Sequence, residues 1–156
     1  MLAAGTLAPD FTAMLDDGST FHLADYRSDR NVVLYFYPRD FTRGCTREAC
    51  SIRDNYAAVE ERGAVLIGVS TDTHDSHLSF REHYNLPFPL ISDPERRLVK
   101  LYDARGFLPW LTARVTYVID REGVIRAAFH HEFAIKRHAS EILDALAEIE
   151  GVMTPR

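Results

Sequence analysis

The chain has 156 residues, 26% of them charged, and a formal net charge of −5 at pH 7. That length suits a single domain over 1–156, with a core large enough to fold without a metal or a disulfide. The negative balance argues against nucleic acid as a partner, because polyanions are held by surplus Lys and Arg. No stretch approaches the roughly 20 apolar residues of a membrane span, so no membrane partner is expected either.

Residues 11–15 and 20–23 flank Asp17-Gly18 and read as a hairpin. The run Val32-Val-Leu-Tyr-Phe-Tyr37 is β-branched and aromatic, and reads as a buried strand ended by Pro38. A helical pattern follows within a few residues, with Ala49, Ile52, Tyr56 and Val59 on the face of Cys45. Residues 64–70 form a second buried strand and 73–84 a helix. Asp93-Pro94 supplies an N-cap and a first helical position for a short helix through Leu101. Residues 115–119 and 124–129 bracket the turn Asp120-Arg-Glu-Gly123 as a second hairpin. The final helix sets Ala139, Ile142, Leu143, Leu146 and Ile149 on one face and stops at Gly151. This order implies an α/β fold: a central mixed β-sheet flanked by helices on both faces, with an N-terminal β-hairpin.

Both cysteines lie in Pro38-Arg-Asp-Phe-Thr42-Arg-Gly-Cys45-Thr-Arg-Glu48-Ala-Cys50. Cys45 falls where a strand hands over to a helix N-terminus. Backbone N–H groups there lack partners and the macrodipole favours negative charge, so a thiolate is favoured over a thiol. Arg43 and Arg47 push the same way. A buried core cysteine is the bland alternative; the cationic, cap-like setting favours a reactive one. Two cysteines in a domain of this size are no secreted framework, and such a pair is more often catalytic or regulatory. Met1-Leu-Ala-Ala-Gly-Thr lacks the charged start and apolar middle of a secretory signal, so a cytoplasmic location is expected.

The pattern Pro-x-x-x-Thr-x-x-Cys, here Pro38, Thr42 and Cys45, resembles the active-site signature of the peroxiredoxins. The longer string YFYPRDFTRGCTREAC is similar to the peroxiredoxin Q, or bacterioferritin comigratory protein, branch, in which a second cysteine follows five residues on, as Cys50 does. Ala8-Pro-Asp-Phe11, Leu66-Ile-Gly-Val-Ser70, Arg114-Val-Thr-Tyr-Val-Ile-Asp120 and His138-Ala-Ser-Glu-Ile-Leu143 resemble further family segments in the same order. Arg43 departs from the branch, which usually carries proline there.

The resemblance implies a thioredoxin-like fold and a thiol peroxidase for hydrogen peroxide and organic hydroperoxides. It implies Cys45 as the nucleophile forming a sulfenic acid, with Cys50 resolving it as an intramolecular disulfide and a thioredoxin-type dithiol regenerating both. It tips Thr42, otherwise evenly a helix cap or a catalytic hydroxyl, toward catalysis. Arg114 is chosen among sixteen arginines only by resemblance. Glu48 enters as its orienter, although opposing the helix dipole would be role enough. Pro38 and Gly44 complete the substrate loop, where the N–H groups of Gly44 and Cys45 can donate to peroxide oxygens. No cofactor is expected, and the assembly is expected to be a monomer or a weak homodimer. Because it opens a strand, Arg114 is expected outside the core.

The rivals are a thiol–disulfide oxidoreductase, which would want Cys-x-x-Cys, and a redox-responsive binding or chaperone module. His74 with His77, and His130-His131, lack cysteine partners at zinc spacing, so no metal is expected and exposed histidines are the default. Trp110, in Phe107-Leu-Pro-Trp110-Leu111, reads equally as core, as a wall of the active-site mouth or as a subunit contact.

Overall fold

The computed structural model describes residues 1–130 and 135–153. Strands β1 (Thr12–Met14) and β2 (Thr20–His22) form the N-terminal hairpin, and a short 3-10 helix, Leu23–Tyr26, follows. Next come β3 (Asn31–Phe36), α1 (Arg43–Asp54), α2 (Tyr56–Glu61), β4 (Ala64–Ser70), α3 (His74–Tyr84), β5 (Leu90–Ser92) and α4 (Arg97–Leu101). The chain continues through β6 (Val115–Ile119) and β7 (Ile125–His130) to α5 (Ile135–Met153). A five-stranded mixed sheet runs in the order β5-β4-β3-β6-β7, with β3, β4 and β5 parallel and β6 and β7 antiparallel. No helix among the described residues is long and apolar enough to cross a membrane.

The strand β3 is buried along its whole length because it is central and covered on both faces. Its side chains alternate between two cores. Val33, Tyr35 and Tyr37 pack beneath α1, α2, α3 and α5 with Cys45, Ile52, Val59, Phe80 and Ile142. Val32, Leu34 and Phe36 face the other side, against the N-terminal Phe11 and Phe21 and against Leu98 and Val99 of α4. Gly68 of β4 makes the first core tight: a Cβ there would come within 2.9 Å of the Tyr35 ring. Gly123 closes the β6–β7 turn at φ 82°, a conformation only glycine adopts without strain.

The expected mixed sheet and both hairpins are present, with the boundaries corrected in five places. The edge strand β5 was not expected; at three residues, it carries too little alternation to register. Helix α4 starts at Arg97 instead of after Asp93, because Arg96 adopts φ 60° and breaks the turn. Asp93 still serves this segment: its carbonyl accepts from Arg96 N–H (3.0 Å) and its carboxylate from Val99 N–H (3.0 Å). The helix bearing Cys45 is interrupted at Asn55, whose amide donates back to the Ser51 carbonyl at 2.8 Å. Val59 nevertheless stays on the buried face. The 3-10 turn shortens the first hairpin. Finally, α5 runs past Gly151, where helical φ/ψ is affordable at an exposed end.

Candidate active site

The loop between β3 and α1 is pinned from below before it reaches the cysteine. Tyr37 Oη donates to Asp40 Oδ1 at 2.6 Å and Ser76 Oγ donates to Asp40 Oδ2 at 2.9 Å. His77 of α3 is fully buried, with Nε2–H donating to the Ile91 carbonyl at 2.9 Å and Nδ1 lying 2.7 Å from Asp40 Oδ2. With Nε2 committed as a donor, a further proton must sit between Nδ1 and Asp40. The Asp40 N–H in turn donates to Asp72 Oδ2 at 2.8 Å. Asp40, Asp72 and His77 are close enough to share a cation, but these donor atoms are already engaged with one another and with Ser70, Ser76 and Tyr37.

Phe41 then turns the chain at φ 64°, a strained conformation for an aromatic residue. Its ring packs on Phe80, His83 and Tyr84 of α3 with centroids 5.1 to 6.2 Å away, which offsets the strain. The turn delivers Thr42 to the N-cap position of α1 with extended backbone angles, yet its hydroxyl makes no capping bond. The hydroxyl proton goes to the Arg39 carbonyl at 3.0 Å, so the oxygen is left as an acceptor. The helical ladder begins with Thr46 N–H to the Thr42 carbonyl (2.8 Å). The N–H groups of Arg43, Gly44 and Cys45 therefore stand ahead of it, as at any helix start.

Cys45 and Glu48 are three positions apart on α1 and share its buried face. Arg114 immediately precedes β6 and, alternating with Val115, points to the same side of the sheet. Its Nη1 lies 3.4 Å from Cys45 Sγ and 3.0 Å from Glu48 Oε1. Arg114 is only 7% exposed, contrary to the expectation that a charge opening a strand stays out of the core. The buried carboxylate of Glu48 compensates for its burial. Burial disfavours the Arg114 charge, but Glu48 and Cys45, by charge and by hydrogen bond, outweigh it and hold the guanidinium above its ordinary range.

Sequence reasoning missed two histidines. His77 and His138 are both buried, against the default of exposed histidines. His138 Nδ1 lies 2.5 Å from Glu48 Oε2, and its Nε2 lies 2.5 Å from Thr116 Oγ1. The signal was present in the helix periods: His77 shares a face with Phe80 and Tyr84, and His138 with Ile142, Ala145 and Ile149. His74 and His130 are exposed, and His131 lies outside the described residues.

Cys50 is half-buried, five residues along the same uninterrupted helix, and both cysteines are free thiols. Their Cα atoms are therefore roughly 8 to 9 Å apart by helix geometry. A disulfide requires about 4.4 to 6.8 Å, so this helix cannot hold one as it stands.

Trp110 is 67% exposed, which removes the core reading. It borders a cleft of about 680 Å³ together with Pro38, Phe41 and Leu111. The loop that carries it is fixed: Arg96 donates to Thr112 Oγ1 and to the carbonyls of Pro109 and Leu111 at 2.8 to 3.2 Å. Cys45 does not line this cleft.

The AhpC/TSA family matches residues 4–128. The chloroplastic peroxiredoxin Q of Suaeda salsa is 38% identical over 152 residues, covering 95% of this chain and 69% of its own. Peroxiredoxin Bcp of Bacillus subtilis (strain 168) is 38% identical over 151 residues, 93% of this chain and 95% of its own. The crystal structure of peroxidoxin BcpB from Mycobacterium tuberculosis is similar with a TM-score of 0.87 at 33% identity, over 96% of this chain and 99% of that one.

Proposed function

The chain belongs to the AhpC/TSA family and is a thiol-dependent peroxidase of the peroxiredoxin Q type, and we propose that Cys45 is its nucleophile, resolved by Cys50. The observation that carries this reading is the 3.4 Å contact of Arg114 Nη1 with Cys45 Sγ at a helix N-terminus. The guanidinium stands beside the sulfur that would attack the peroxide, where it can oppose the charge passing to the leaving oxygen.

The Cys45 sulfur donates an electron pair to the terminal oxygen of the hydroperoxide, forming S–O as the O–O bond breaks. The departing alkoxide or hydroxide takes up a proton and leaves as alcohol or water. Thr42 Oγ1, with its own proton committed to Arg39, is suited to accept the O–H of the incoming peroxide. Arg114 and the N–H groups of Gly44 and Cys45 oppose the charge that develops on the leaving oxygen. Pro38 shapes the loop, and Glu48 holds Arg114. The Cys50 thiol then gives up its proton and attacks the sulfenic sulfur, forming the disulfide as hydroxide departs and takes up that proton to leave as water, and a thioredoxin-type dithiol reduces the disulfide by exchange.

Formation of that disulfide requires the first turns of α1 to unwind, since the helix separates the two Cα atoms by too great a distance. We assign the reaction to the cytoplasm, where a reducing pool keeps such thiols free between turnovers. Peroxide consumption with thioredoxin and its reductase, on wild type, Cys45→Ser and Cys50→Ser, tests the scheme. Cys45→Ser is expected to be inactive, and Cys50→Ser to stall after one equivalent. Turnover by Cys45→Ser at the wild-type rate would overturn it.

A further inference from the structure

We propose that His138 is a positioning residue for the reaction at Cys45, acting through Glu48 on Arg114. The proposal rests on the reading of Cys45 as nucleophile. Its own basis is a buried chain of contacts that joins three elements. Glu48 is fully buried and uses its two carboxylate oxygens on different partners: Oε1 accepts from Arg114 Nη1 at 3.0 Å, and Oε2 faces His138 Nδ1 at 2.5 Å. Beside a carboxylate, Nδ1 carries the proton and donates. Thr116 Oγ1, 2.5 Å from Nε2, holds the other edge of the ring. His138 is itself 1% exposed, so no solvent competes for these contacts.

The consequence concerns the shape of the Arg114 contact. A carboxylate that faces an arginine alone tends to take it with both oxygens, fork to fork. With Oε2 held by His138, Glu48 presents Oε1 to Arg114, and Nη1 can lie between that oxygen and the Cys45 sulfur. Without the imidazole, Glu48 is free to turn both oxygens to the guanidinium and draw it away from Sγ. His138 on α5 thereby sets how much of the Arg114 charge reaches the reacting atoms, although it touches neither sulfur nor substrate.

Two variants separate this role from simple packing. His138→Leu keeps bulk and loses the donor, whereas His138→Asn loses ring packing and keeps an N–H close to the position of Nδ1. Each is measured by the rate of Cys45 oxidation with hydrogen peroxide and by the rate of alkylation with iodoacetamide. Only the first reaction needs the leaving oxygen stabilised. His138→Leu is expected to lower the peroxide-to-alkylation rate ratio on the order of tenfold, as for a lost bond to a charged group. His138→Asn is expected to recover most of that ratio. Thr116→Val, which leaves the imidazole in place and removes its second contact, provides the same readout if His138→Leu does not fold, with a smaller drop in the same direction. A ratio unchanged in His138→Leu, or in Thr116→Val where that variant has to stand in, overturns the proposal. So does a fall of both rates together in step with thermal stability. Failure of wild-type Cys45 to react with peroxide at all would instead remove the functional reading beneath it.

Discussion

Arg114 and Cys45 stand 69 positions apart in the chain and 3.4 Å apart in space, Nη1 to Sγ. The sheet makes this contact by setting β6 antiparallel beside β3, from whose end the Cys45 loop departs. Arg114→Ala is expected to slow oxidation of Cys45 on the order of 10²-fold, the scale of one lost transition-state donor. It should also destabilise the protein by about 3 kcal/mol or more, because Glu48 is left buried without its cation. Stopped-flow oxidation and denaturant unfolding measure the two effects. A variant of wild-type stability and wild-type rate would show that neither pairing matters.

The Asp40–His77 pair fixes the loop that carries Thr42. Both side chains are almost wholly buried, so Asp40→Asn removes a carboxylate that accepts from Tyr37 and Ser76 and faces His77, and should cost about 1 to 3 kcal/mol. Phe41 would then lose the support that holds it at φ 64°, and peroxide reaction should slow along with the loss of stability. Urea unfolding with parallel kinetics checks this. Unchanged stability would mean that the aromatic packing of Phe41 alone holds the loop.

Tyr35 Oη is buried and has no hydrogen-bond partner among the described residues. Burial, together with the charges of Glu48, Cys45 and Asp40, pushes this phenol well above its ordinary range, and burial does the same to Tyr37. An unfolded chain loses these protons near pH 10 while the native state keeps them. Their contribution is therefore complete below about pH 10 and is lost as pH rises beyond it. Tyr35→Phe removes an orphan hydroxyl worth a penalty of about 1 to 3 kcal/mol. The variant should be at least as stable as wild type at neutral pH and should lose stability less steeply in alkali. Thermal melts at pH 7 and above pH 10 decide it; a clear loss at pH 7 would show that the hydroxyl has a partner after all.

Oxidation to the Cys45–Cys50 disulfide should unwind the start of α1. Amide hydrogen exchange is expected to show protection around residues 46 to 53 in the reduced protein and its loss in the oxidised one. Equal protection in both states, with the disulfide verified by mass spectrometry, would sink the unwinding step.

Much of this was legible because strand and helix periods are local. The run 32–37 announced the central strand, and the spacing from Cys45 to Ala49 to Ile52 announced the buried face of α1. What a period cannot reveal is the partner. Arg114 was found only through resemblance, since its neighbours in sequence say nothing of Glu48, 66 residues away. His138 was passed over because a polar residue on an apolar face registers as an exception until its acceptor is known. Asn55 and Arg96 interrupt helices by backbone geometry, through a side-chain bond to the preceding turn in one case and a left-handed φ in the other. Neither is written in hydrophobic pattern.

Trapping the oxidised sulfur tests most directly whether peroxide oxidises Cys45 Sγ. Cys50→Ser removes the resolving thiol, so one equivalent of hydrogen peroxide should leave a sulfenic acid that a dimedone-type nucleophile traps. Peptide mass spectrometry then locates the adduct. The label is expected on Cys45, in near-stoichiometric yield and absent after Arg114→Ala at the same short reaction time. Consumption of the peroxide with Cys45 unmodified, or with oxidation confined to methionine, would contradict it.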